Sequence, residues 1–270
     1  MIGGANVKSY DFEYDGLNLS DFGFMICSFD SKGVETISNG STITFNTVSM
    51  FNGNKKELTS IEYEDCLEST FQICKKVCDY DNLEISIDEI RLLTRWLNRK
   101  EFHKFKILNE EYFDIYFEGS FNISKIEIDG KVYGLELELK TNRPFALMEP
   151  QKFVIKNLEN DGVHYISDFS DEEGYIYPKV TIEIKESGNL NIYNEIEDRT
   201  TSILNCTYDE IITMDYPIIE TSLKTHKIQN DFNWNFFRIA NKLNNKNNKL
   251  TISLPCNITI EYSPIVKVGI

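Results

Sequence analysis

Short runs of alternating apolar and polar residues, punctuated by Gly, Asn, Asp and Pro, predict a mainly β protein. Two further observations narrow that prediction. Only one segment carries a helical period, and aromatic residues make up 13% of the chain, a share that suits packed sheets. At roughly 100–200 residues per domain, the length leaves room for two hydrophobic cores. Thr141-Asn-Arg-Pro144 breaks the alternation and Pro150 follows, so the boundary falls near residues 145–152. This gives an N-terminal domain over 1–147 and a C-terminal domain over 148–270.

The elements follow in order. Residues 10–30 mix alternating aromatics with Gly16 and Gly23, which suits two short strands joined by a turn. Thr42–Val48 and Leu67–Ile73 read as strands, and Phe51–Lys56 (FNGNKK) reads as the turn of a long hairpin arm. Ser86–Asn98 is the clearest helix. Ser86 and Glu89 form a capping box, and Ile90, Leu92, Leu93, Trp96 and Leu97 share one arc opposite Arg91, Thr94, Arg95 and Asn98. Such an arc lies on a sheet. The period then drops to 2, with Phe105 and Ile107 on one strand and Phe113, Ile115 and Phe117 on the next. Asp129-Gly130 between alternating runs marks a tight hairpin turn, because a type I′ turn needs positive φ at both central residues.

Beyond Pro150 the strand candidates are Lys152–Asn157, Lys179–Lys185, Leu190–Tyr193, Glu210–Met214 and Leu250–Tyr262 with a proline interruption. Repeated short strands separated by turns predict a β-sandwich. Asn241–Asn248 reads as a solvated, Asn- and Lys-rich loop.

Charge and reactive residues exclude several functions. The formal charge of −15 and the lack of a basic patch argue against a surface that grips phosphate backbones. The opening residues have no basic stretch followed by an apolar run, and no segment reaches the ~18 apolar residues of a membrane span. The expectation is a soluble protein made in a cytoplasm. Six scattered cysteines read as reduced thiols; Cys74 and Cys78 have a metal-like gap but no second pair nearby. Three histidines, His103, His164 and His226, supply too little material for a triad or a three-His metal site, so each is assigned a structural role. The acidic run Asp168–Glu173 reads as a flexible loop. Trp234 could stack on a sugar, but crowding by Phe232, Phe236 and Phe237 favours a core or interface position. No catalytic, cofactor-binding or metal-binding residue is assigned, and no cofactor is expected.

The string Arg91-Leu-Leu-Thr-Arg-Trp96-Leu97 resembles the R-x-x-x-x-W-L helix signature of siphovirus-type phage distal tail proteins. In that family, as here, a strand, an aromatic hairpin and a short Pro-aromatic sequence follow, here Arg143-Pro-Phe145. Phe12–Ile26 is similar to the family's opening, and Leu243–Pro264 more distantly to its last strands. Leu108–Tyr112 departs from the acidic, proline-bearing turn common there.

The resemblance implies a structural virion protein at the tail tip, made in the host cytoplasm, with no enzymatic activity. Six copies would form a ring between the tail tube protein and the tail hub or baseplate, with DNA passing through the lumen. It further implies an N-terminal β-barrel, flanked by the 86–98 helix and a long hairpin arm, and a C-terminal galectin-like β-sandwich holding receptor-binding proteins. Arg91, Trp96 and Leu97 would then be structural residues of the helix. A carbohydrate-binding β-sandwich protein acting in host-surface attachment is the alternative reading, favoured by the second half of the chain.

Overall fold

The computed structural model describes residues 11–29, 43–49, 55–63, 66–76, 82–242 and 245–268. The first ten residues, Thr42, residues 51–54 of the expected hairpin turn, Cys78 and residues 243–244 of the Asn-rich tract lie outside the described residues. The chain divides into two compact units, 1–147 with 266–270, and 148–265.

In the first unit, β1 (Phe12–Tyr14) turns through Asp15-Gly16 into β2 (Leu17–Asn18), and a 3₁₀ turn over Leu19–Phe22 leads to β3 (Phe24–Cys27). β4 (Ile43–Ser49) and β5 (Lys56–Tyr63) form a separate two-stranded ribbon. β6 (Glu68–Lys75), α1 (Ile87–Leu97), β7 (His103–Ile107), β8 (Ile115–Ile128), β9 (Lys131–Thr141) and β10 (Ala146–Met148) follow. Seven strands run in the order β2-β1-β7-β8-β9-β6-β3, with β10 beside β8. One face of this sheet is apolar: Phe12 and Tyr14, Phe105 and Ile107, Phe117 and Phe121, Phe71 and Ile73, and Leu135, Leu137 and Leu139 are all buried. That is the period-2 pattern expected of a sheet with one face in a core.

The expected N-terminal β-barrel is not what the chain forms. The sheet is open, and its end strands β2 and β3 do not pair with each other. Closure requires the first and last strands to be long enough to hydrogen-bond across the gap. β2 has two residues and runs straight into the 3₁₀ turn, and β3 has four. A second correction concerns Phe113, expected on a strand with Ile115 and Phe117. β8 begins only at Ile115, and Phe113 is 81% exposed. The 3₁₀ turn over Glu110–Tyr112, held by Tyr112 N–H donating to Asn109 Oδ1 at 3.0 Å, redirects the chain first.

The second unit contains β11 (Gln151–Asn157), β12 (Gly162–Ser167), β13 (Gly174–Ile176), β14 (Lys179–Ile184), β15 (Gly188–Asn194) and β16 (Arg199–Cys206). After them come β17 (Ile211–Asp215), β18 (Ile218–Thr221), α2 (Ile228–Asp231), β19 (Ile239–Asn241), β20 (Asn247–Ile252) and β21 (Cys256–Tyr262). A five-stranded sheet, β11-β21-β14-β17-β18, and a four-stranded sheet, β12-β20-β15-β16, contribute to one core. Ile182, Ile212 and Ile258 enter it from the first, and Ile192, Ile203 and Leu250 from the second.

Two polar tracts expected in solvent are partly built into this unit. Asn248, in the Asn-rich stretch, is fully buried on β20. Its Oδ1 accepts from Ala240 N–H and Asn194 Nδ2, both at 2.8 Å, and its Nδ2 donates to Ala240 O at 2.9 Å. A buried amide is tolerated where each of its groups finds a partner. Asp168 and Ser170 of the acidic run are also buried, with Asp168 Oδ1 accepting from Ser170 N–H and hydroxyl at 3.1 and 2.9 Å.

Candidate functional site

The features of the first unit that bear on function are a braced sheet, its short open edges and an apolar ribbon. α1 begins at a capping box: Ser86 Oγ accepts from Glu89 N–H at 3.3 Å, and Glu89 Oε2 accepts from Ser86 N–H at 2.7 Å. The free Glu89 oxygen meets Lys75 Nζ at 2.9 Å, which joins the start of the helix to β6. Burial alone would raise the Glu89 carboxyl, but the hydrogen bonds from Ser86 and Lys75 outweigh it and hold the group below its ordinary value. At the other end, Asn98 Nδ2 donates to Phe121 O at 2.7 Å and Ser120 Oγ to Arg99 O at 2.6 Å, which ties the helix to β8.

Between these ties lies Trp96, 6% exposed. Its indole N–H donates to Tyr14 O at 3.0 Å. Its ring stacks on Phe22 (4.3 Å between centroids, 22°) and Phe12 (5.8 Å, 12°) and meets Tyr14 edge-on. Phe12 in turn contacts Phe71, Phe105 and Phe121. Leu93 and Leu97 are buried beside it, whereas Leu92, assigned to the same arc, is 49% exposed. At 100° per residue, Leu92 falls at the margin of a stripe centred on Leu93, Trp96 and Leu97.

Thus Trp96 and Leu97 come together in the brace and Arg91 does not. Arg91 lies on the exposed face, 3.6 Å from Asp88, with both side chains more than three-quarters exposed. Asp129 and Gly130 sit at the exposed β8–β9 turn with φ of 52° and 77°, the conformation a type I′ turn demands.

The β4–β5 ribbon is the feature whose side chains the sequence reading did not single out. Its register pairs Ile43 with Tyr63, Phe45 with Ile61 and Thr47 with Leu58, so these residues share one face across the register shift. Phe45, Leu58 and Ile61 are 61%, 52% and 54% exposed. The opposite face carries Thr44, Asn46, Ser60 and Glu62, with Asn46 Nδ2 donating to Ser60 Oγ at 2.9 Å. At its base Tyr63 meets Phe145 edge-on at 4.8 Å, which places the Arg143-Pro-Phe145 motif under the ribbon. The signal was present in the alternation of Thr42–Val48, but alternation does not say which face lacks a covering layer.

Among the described residues no group of three or more His, Cys, Asp or Glu side chains is able to hold a metal ion, and no helix is long and apolar enough to cross a membrane. Burial pushes the Cys206 thiol up to about 11 and Cys256 up to about 12, so neither is a thiolate nucleophile near neutral pH.

Comparison with known proteins agrees with this picture. The profile of phage tail protein N-terminal domains matches residues 7–143, and that of phage tail C-terminal domains matches residues 145–262. No curated protein matches the chain. Among solved structures, the Dit protein (gp 19.1) of SPP1, described as a paradigm of the hub adsorption apparatus in phages infecting Gram-positive bacteria, superposes with a TM-score of 0.64. The two are 10% identical, and the match covers 94% of this chain and 98% of the SPP1 chain.

Trp96→Ala removes a buried aromatic and leaves Tyr14 O without its donor, so chemical denaturation should show a loss of ~3–5 kcal/mol. Glu89→Gln should cost ~1 kcal/mol at neutral pH. A depressed carboxyl stabilises the fold above its unfolded pKa and loses that contribution as pH falls through the folded value. The difference between Glu89→Gln and the natural chain should therefore shrink on acidification from neutral pH through the carboxylate range; a pH-independent difference contradicts the assignment.

Proposed function

The chain belongs to the phage tail protein family whose N- and C-terminal domains it contains, a non-enzymatic structural protein of the virion with a distal-tail fold, and from that premise we propose that it forms a hexameric ring at the tail tip. The ring joins the tail tube to the tail hub or baseplate, and DNA passes through it. The observation that carries this reading is the β4–β5 ribbon, with Phe45, Leu58 and Ile61 exposed on one face. A contiguous apolar face beside a sheet with open, short edges is the kind of surface that neighbouring copies cover. Cyclic repetition of one contact closes the set without fibre growth.

The net charge supports the passage of DNA. Each copy carries −15, and whatever share lines the lumen repels phosphate groups, so the genome slides without sticking. The second unit is assigned to the attachment of receptor-binding or baseplate components.

Phe45→Lys combined with Ile61→Glu places an opposite-charge cross-strand pair on the apolar face at positions already in solvent. Multi-angle light scattering on the eluting protein should change from six subunits to one, while thermal stability stays within ~0.5 kcal/mol of the parent. A hexamer that survives both substitutions, or a parent that stays monomeric at high concentration, contradicts the reading.

A further inference from the structure

We propose that Cys27 and Cys74, on the outer face of the first unit's sheet, are a cross-linking site that becomes a disulfide once the virion leaves the reducing cytoplasm of its host. The strand register brings them together. β3 pairs with β6 antiparallel, Met25 opposite Cys74 and Cys27 opposite Gln72, so the two cysteines are diagonal neighbours. Phe24 and Ile26 on β3, and Phe71 and Ile73 on β6, turn into the core. By the two-residue period of a strand, both cysteines lie on the other face, and both are half-buried there. Their thiols are in hydrogen-bonding contact.

The surroundings keep the pair in place. Lys76 N–H donates to Gly23 O at 3.0 Å and Phe29 N–H to Gln72 Oε1 at 2.8 Å, so the chain on both sides of Cys27 is tied to β6. Opposite Cys74 on β9 stands Gly134, and the Phe29 ring occupies the space a side chain there would take: an added Cβ would meet Phe29 Cε2 at 2.3 Å. Diagonal neighbours stand further apart than opposite ones, so closing the bond draws β3 toward β6. β3 has four residues, ends the seven-strand order and, among the described strands, has β6 alone beside it, so no strand on its far side resists that shift. Cys206 and Cys256 differ, since both sit in the core of the second unit and are closed to an oxidant.

The oxidant is a small disulfide such as oxidised glutathione. One cysteine of the pair, as its thiolate, attacks a glutathione sulfur, and a glutathione thiolate leaves. The second cysteine then attacks the protein sulfur of this mixed disulfide and releases the other glutathione. Two protein thiols and one glutathione disulfide thus become one protein disulfide and two glutathione thiols, each of which takes up one of the two protons. Burial and the neighbouring Cys74 sulfur raise the Cys27 thiol above its ordinary value, so the exchange is slow and folding precedes it. The consequence reaches the ribbon. The loop closed by this bond runs through residues 28–73 and contains β4 and β5, so the segment that carries the apolar face becomes anchored at both ends. The inference rests on the chain being a virion protein and not on the hexameric ring.

Oxidised glutathione added to the reduced full chain, followed by digestion without reductant and mass spectrometry, tests it. A peptide pair joining Cys27 to Cys74 should dominate, with the intact mass lower by two hydrogens. The melting temperature of the first unit should rise by about 5 °C or more, because a long loop is closed, and dithiothreitol should reverse the rise. Cys27→Ser and Cys74→Ser should each lose the link and the rise, while melting within about 2 °C of the parent under reducing conditions. A Cys74–Cys78 link in its place, cysteines that stay as thiols or as glutathione adducts, or a Cys27–Cys74 link that leaves the melting temperature unchanged overturns the proposal.

Discussion

A tryptophan buried against a sheet must find an acceptor for its indole N–H, and in the first unit that acceptor is the carbonyl of Tyr14. The consequence reaches past one hydrogen bond. Because Tyr14 sits on β1 and β1 pairs with β7, fixing Trp96 over it places α1 across one end of the sheet. The ties at Lys75–Glu89 and Asn98–Phe121 then hold the helix at both ends. The open sheet also curls over its own apolar face, since Phe12 on β1 contacts Phe71 on β6, so helix and sheet together cover the core without a second layer of strands. The open order of the strands is thus compatible with a buried aromatic core.

That solution leaves a remainder. A closed barrel would have paired every backbone group along its rim, whereas an open sheet stops at two short strands, and short edges are one way proteins limit unwanted pairing. The β4–β5 ribbon lies outside the seven-strand order and presents apolar side chains exposed among the described residues. On the proposed reading, a structural tail protein built in this way is completed by neighbouring copies. Its stability rests on the brace, and the association proposed for it rests on the ribbon. The two functions rest on different residues, so one can be altered without the other.

Parts of this were readable in the amino-acid order and parts were not, for physical reasons. The start of α1 could be read because a capping box is local, and the Asp129-Gly130 turn because positive φ favours few residues. The stripe of α1 was assigned one residue too wide at Leu92, since periodicity gives a direction but not the breadth of the surface it meets. The barrel was wrong because closure depends on strand length at β2 and β3, which local pattern defines least well. Asn248 and Asp168 read as solvated because their partners, Asn194 and Ala240 for one and the Ser170 turn for the other, are supplied by the fold. His226 was assigned a structural role, and its pairing with Glu210, sixteen residues away, is a contact that no local motif announces.

On the proposed reading, a Trp96-braced open sheet becomes complete only when copies of the chain cover one another's ribbons. Electron cryo-microscopy of the purified protein tests it most directly. Closed particles with six-fold averages are expected, in which Phe45, Leu58 and Ile61 of each copy are buried against a neighbour. Single copies, or a closed ring whose ribbons project freely into solvent, would contradict it.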